Sequence, residues 1–250
     1  MLTELVALSL ILIALGVLAI FWIRYRKKKP PLRPYPVFQS LSEEVGRVAE
    51  EGSTVHIALG QGNLIGDDAM VSITALQGLS ALIDLSAAYD TPPLITTSDP
   101  VLYLLASDWM RRAYARLGNT KLYRPIFVQY AATTPATYAA MTATNLYDGG
   151  IGSNVILGAF DAEISLLAEA AQRRGIRSVG GTTSVPGLSA LYPALGVEQL
   201  VMGEELFAAG AEVINRPVFW SSLLVQDVLR WLVIVGIAGA SLWALLGLGG

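Results

Sequence analysis

Three regimes of apolar patterning divide this chain. From Leu5 to Ile23, LVALSLILIALGVLAIFWI runs without a charged residue, about the length that crosses ~30 Å of hydrocarbon as a helix. From Trp231 to Leu248, WLVIVGIAGASLWALLGL does the same, with Arg230 and Trp231 marking its entry. Between these ends, short β-rich apolar runs alternate with longer alanine- and leucine-rich segments, the pattern of βαβ units and a parallel sheet. The runs predict strands at Thr54 to Leu59, Leu94 to Thr97, Ile126 to Tyr130, Val155 to Gly158, Ser178 to Thr182 and Gln199 to Met202. Helices are predicted at Met70 to Ala88, Pro100 to Leu117, Pro135 to Asn145, Ala162 to Arg174, Leu188 to Leu195 and Glu204 to Val213. The fold class expected is α/β: an open, doubly wound, mostly parallel sheet flanked by N- and C-terminal transmembrane helices.

Domain organisation follows from the same pattern. Residues 1–23 form the N-terminal membrane helix and 24–39 a basic neck stiffened by Pro30, Pro31, Pro34 and Pro36, since each proline fixes its own φ and biases its predecessor towards extended backbone. Residues 40–216 form the α/β domain, opening with an amphipathic helix, SLSEEVGRVAEE, capped by Ser40 or Ser42. Residues 217–250 form a helix that begins near Pro217 and continues into the second membrane segment.

Charge sets the orientation. RYRKKK follows the first apolar run directly, whereas Met-Leu-Thr-Glu precedes it, so the run reads as an uncleaved anchor and not as a signal peptide. Under the positive-inside rule the amino terminus lies outside and residues 24 onward lie in the cytoplasm, with both termini on the outer side if both segments span. Trp22 and Tyr25 suit the interfacial belt. Over residues 34 to 229, ten basic residues face nineteen carboxylates, a net −9. A body this acidic excludes nucleic acid as a partner, because neutralising phosphates needs a basic face.

Cysteine is absent, which removes disulfides, thiolate catalysis and cysteine-ligated metals together. The single histidine, His56, falls inside the first predicted strand, where a packed role outweighs a catalytic one. No GxSxG elbow accompanies it, so a nucleophilic triad has no support. No catalytic residue and no metal ligand is assigned.

In an open α/β sheet, ligands bind beyond the carboxyl ends of the strands. After the first strand comes GQGNLIGDD, residues 60 to 68. Its spacing is GxGxxxG, which matches neither the dinucleotide fingerprint nor a P-loop, and two aspartates would repel a phosphate. After the second comes TTSDP, where Ser98 or Asp99 caps a helix starting at Pro100. If this rim binds a nucleotide or divalent ion, the candidate residues are Gly60, Gly62, Asn63, Gly66, Asp67, Ser98 and Asp99. Asp161, Glu163, Glu204 and Glu205 follow later strands, but helix amino termini attract carboxylates without any ligand.

Charged residues make up only 15% of the chain, below the ~25–35% that coats a typical soluble surface. Lipid or further copies of the chain are therefore expected to cover part of the domain. Gly236, Ala240 and Ala244 recur every four residues in the second apolar segment, a small-residue stripe along which another helix can approach closely.

The stretches NVILGAFDAEISLLAEAAQRRG (residues 154 to 175), VMGEELFAAGAEV (201 to 213) and SLLVQDVLRW (222 to 231) resemble a family of uncharacterised bacterial membrane proteins with a Rossmann-like domain of unknown function between membrane segments. The resemblance implies a bacterial membrane location and an α/β domain. It implies no activity and carries no functional residues. The expectation is a homo-oligomeric structural or assembly protein of the bacterial cytoplasmic membrane, with a ligand-binding or enzymatic rim as the alternative.

Overall fold

The computed structural model describes residues 2–26, 36–148, 150–214 and 217–245. The chain divides into two compact units, Met1–Arg33 with Asn215–Gly250, and Pro34–Ile214. Lys27, Lys28, Lys29, Pro30, Pro31, Arg33 and Pro34 of the expected neck lie outside the described residues, as do the side chains of Ala240 and Ala244.

The larger unit runs α2 (Pro36–Glu50), β1 (Thr54–Gly60), α3 (Ala69–Ala88), β2 (Leu94–Thr97), α4 (Pro100–Arg116), β3 (Val128–Tyr130), α5 (Pro135–Tyr147), β4 (Ile151–Ala159), α6 (Ser165–Arg173), β5 (Arg177–Thr182), α7 (Val185–Leu195), β6 (Leu200–Met202) and α8 (Glu205–Ile214). Its six strands are all parallel, in the order β3-β2-β1-β4-β5-β6. Strand order therefore reverses between β1 and β4. Helices α2, α3, α4 and α8 share one core with Val55, Ile57, Leu59, Ile95 and Leu157. Helices α5, α6 and α7 share the other with Ala58 and Ile156. Burial on both sides explains why these strands read as continuous apolar runs.

Helix α6 starts at Ser165, after a 3-10 turn over Ala162–Ile164, and α7 starts at Val185, three residues before expectation; three further boundaries differ, each for a local reason. Helix α2 starts at Pro36, so Ser40 and Ser42 lie within it and do not cap it; proline's fixed φ suits a first helical position. Strand β4 begins at Ile151, four residues early, because Ser153 and Asn154 pair with β1 although they are polar. Strand β3 loses Ile126 and Phe127 to a 3-10 turn opened by Pro125.

The smaller unit holds α1 (Leu2–Tyr25) and α9 (Pro217–Leu245). Leu15, Leu18, Ala19 and Trp22 of α1 and Val218 and Ser221 of α9 line an open apolar groove of about 390 Å³. Among the described residues, two helices are long and apolar enough to cross a membrane: Ala69–Ala88 and Pro217–Gly239. The first, α3, is 56% buried as a core helix against the sheet, whereas the second is 6% buried.

Candidate functional site

The carboxyl ends of β1 and β4 flank the reversal in strand order, the place where an open parallel sheet leaves a crevice. Gly60 closes β1 with φ +74°, a left-handed conformation that a side chain would strain. A Cβ there would also run into the carbonyl of Ala159 and the ring of Phe160. Gly60 is a junction of hydrogen bonds. Its N–H donates to the Tyr138 hydroxyl at 3.2 Å. Its carbonyl accepts from Ser98 N–H at 3.0 Å and from the Thr97 and Ser98 hydroxyls at 3.3 Å. The β1 and β2 ends are thus stitched together, and Gly60 and Ser98 become neighbours.

Gly62 is buried. A Cβ on it would collide with Ser72 Oγ of α3 and lie 2.9 Å from Ala159 Cβ. Gly60 and Gly62 therefore let the loop pass between α3 and the end of β4. Ser72 is fully buried and its hydroxyl has no partner among the described residues.

The remaining candidates lie further out. Asn63 is exposed, and its Oδ1 accepts from Ile65 N–H at 3.1 Å, a local turn. Gly66 has φ +106°, and its carbonyl accepts from Ala69 N–H at 3.2 Å at the start of α3. Asp67 is exposed, and Asp68 occupies the α3 cap position without a side-chain cap bond. Asp99 Oδ1 caps α4, accepting from Val101 N–H at 2.9 Å and Leu102 N–H at 2.8 Å. The structure thus brings Gly60 and Ser98 together, packs Gly62 against Ser72 and Ala159, commits Asp99 to the α4 cap, and leaves Asn63, Gly66 and Asp67 along an outer loop. Among the described residues, no three of His, Asp and Glu converge closely enough to hold a metal ion.

Beneath the crevice lies a polar ladder that pattern reading missed, apart from placing His56 in a strand. His56 Nδ1 stands 2.7 Å from Asn154 Oδ1, and Nε2 stands 3.0 Å from Thr96 Oγ1. Thr96 Oγ1 lies 3.1 Å from the Tyr138 hydroxyl, which meets Gly60 N–H. On the other side, Asn154 Nδ2 donates to Ser178 Oγ at 3.3 Å, and that hydroxyl donates to the Ile176 carbonyl at 3.4 Å. The Asn154 carbonyl oxygen can only accept, so Nδ1 carries the proton of the neutral ring and Nε2 accepts from Thr96. Burial holds the His56 pKa down at about 4, despite the bond to Asn154, and pushes Tyr138 up to about 12. Both groups are neutral at pH 7, and the ladder carries no charge. The available signal was a polar residue at paired positions of adjoining buried strands, TVHIALG and GSNVILGA.

The crevice thus offers backbone, hydroxyls and carboxylates, most of them committed to holding the turn. No curated protein and no solved structure matches this chain. A domain of unknown function, DUF6754, matches residues 2–247, and the chain belongs to that family.

Proposed function

We propose that this chain is a homo-oligomeric structural or assembly protein, anchored in a bacterial cytoplasmic membrane by α1 and α9, with its α/β unit on the cytoplasmic side. One observation carries the membrane reading. Beyond Arg230, successive residues of α9 are bare on every side of the helix: Trp231, Leu232, Val233, Ile234, Val235 and Ile237 are 43–66% exposed. At ~25 cal/mol per Å² of apolar surface, such a helix does not stay in water, and it has no polar face on which to lie at an interface. The basic cluster from Arg24 to Lys29 supports the cytoplasmic side for the α/β unit. The oligomeric part is supported by the 15% charge content and by a rim whose polar groups serve the turn. Native mass in mild detergent and in membrane nanodiscs tests it: a uniform multimer in both is expected, and a strict monomer in both overturns it.

A second reading, a ligand-binding or enzymatic rim, is favoured by the reversal of strand order beside Gly60. Its test is saturable thermal stabilisation by a nucleotide or divalent cation that vanishes in Asn63→Ala or Asp67→Asn, two exposed positions. Stabilisation that survives both changes removes this site.

A further inference from the structure

Leu15, Leu18, Ala19 and Trp22 stand at positions i, i+3, i+4 and i+7 of α1 and so share one face of the helix. Against the first turns of α9 that face makes one wall of the open groove. Two small residues leave the space: Ala19 brings only a methyl group, and Ser221 is buried with its hydroxyl donating back to the Pro217 carbonyl at 2.8 Å. The groove is therefore lined by hydrocarbon and the Trp22 indole.

The same face continues past the end of α1. Arg26 N–H donates to the Trp22 carbonyl at 2.9 Å, which carries the helical turn onward and sets Arg26 four residues beyond Trp22, on the groove's side of the helix. Arg26 is exposed and has no ion pair among the described residues. Arg24 is turned to Tyr25 instead, 5.6 Å from the ring centroid. An apolar slot that ends in an unpaired guanidinium matches the order of groups in a phospholipid, acyl chain first and phosphate after it.

Resting on the membrane-anchor reading above, we propose that this groove holds an acyl chain of an anionic phospholipid of the cytoplasmic leaflet, with the lipid phosphate on Arg26. A guanidinium meets phosphate oxygens through two parallel hydrogen bonds, and basic pockets between membrane helices on the cytoplasmic side take anionic headgroups. The other candidate occupant is a helix of a second copy, and charge disfavours it. Every copy carries the run of cations from Arg24 to Lys29 directly after this face, so a second α1 laid here sets cations against cations. The carboxylates of this unit stand elsewhere: Glu4 at the far end of α1, and Asp227 six residues beyond Ser221 on α9. An anionic lipid brings both the chain that fills the groove and the charge that Arg26 lacks.

The test uses full-length protein in nanodiscs of equal phosphatidylglycerol and phosphatidylethanolamine with identical acyl chains, released into native mass spectrometry. Wild-type chains should retain phosphatidylglycerol over phosphatidylethanolamine by roughly fivefold, the weight of one arginine beside an anionic lipid. Arg26→Gln should bring the two lipids close to parity, because the chain still fits while the phosphate has lost its partner. Ala19→Phe places a ring in the groove and should strip both lipids. Val218→Phe fills the same space from α9 and should do likewise, so the outcome does not hang on one variant. Unchanged far-ultraviolet circular dichroism would establish that these variants fold. Equal retention of the two lipids by the wild type, or a phosphatidylglycerol preference that both filling variants keep, overturns the site and leaves the membrane anchor standing. A wild-type chain recovered from the soluble fraction of cells overturns the anchor and the site together.

Discussion

His56 on β1 and Asn154 on β4 are register partners in the sheet, and their side chains meet at 2.7 Å between Nδ1 and Oδ1. The pair sits at the centre of the ladder, fully buried, and fixes a neutral imidazole. Its folded pKa of about 4 lies below the ~6.5 of an unfolded histidine. Between those values the unfolded chain binds the proton and the folded chain does not, so stability falls as pH drops from about 6.5 to about 4. The full effect is on the order of 3 kcal/mol. Thermal melting across pH 4 to 7 should show this loss. His56→Ala should remove the His56 part of the slope and lower stability at pH 7, since Asn154 Oδ1 and Thr96 Oγ1 lose a buried partner, about 1–3 kcal/mol.

Gly62 and Ser72 make a second testable pair. Gly62→Ala drives a methyl group into Ser72 Oγ, an overpacking worth about 1–3 kcal/mol. Ser72→Ala removes a buried hydroxyl without a partner among the described residues and should be neutral or slightly stabilising. The double variant should recover part of the Gly62→Ala loss, a coupling of about 0.5 kcal/mol or more. Strict additivity in chemical denaturation would show that the loop does not pack against Ser72.

Most of the fold was legible because every strand but one lies between clear punctuation: Pro100, Pro135 and Pro217 open helices, and apolar runs such as Leu94 to Thr97 are bounded on both sides. The exception teaches the most. Ser153 and Asn154 read as loop by polarity, yet they are strand, because His56 and Ser178 supply the partners that make burial tolerable. Partners come from across the sheet, and no local pattern reveals them. At the candidate site, residue types were legible but roles were not. Gly60 and Gly62 suggested room for a ligand, whereas their missing side chains leave room for Ala159, Phe160 and Ser72. The span-like α3 is a further case, since composition does not distinguish a helix sheathed by sheet and helices from one sheathed by lipid.

Asp99 and Asp67 separate structure from binding at the rim. Asp99→Ala removes both cap bonds of α4 and should cost about 1 kcal/mol, with Asp99→Asn or Asp99→Ser restoring most of it. Asp67→Asn changes an exposed side chain and should leave thermal stability within about 0.5 kcal/mol. A large loss from Asp67→Asn would mean that its carboxylate has structural work at the α3 start.

Placement of the α/β unit relative to a membrane can be read with single cysteines, because the native chain contains none. Asn119, in the exposed turn after α4, is a suitable reporter within the larger unit. In intact bacteria expressing Asn119→Cys, a membrane-permeant maleimide should label the protein and an impermeant one should not, while both label it after lysis. The expectation rests on Arg24, Arg26 and the lysines after them in the sequence, since basic residues beside a membrane segment resist translocation. Reversing that bias, by replacing Arg24, Arg26, Lys27, Lys28 and Lys29 with glutamine and adding lysines before Leu5, should shift part of the population to labelling by the impermeant reagent. Labelling of the unaltered collar by the impermeant reagent in intact cells would put the α/β unit outside and invert the proposed orientation.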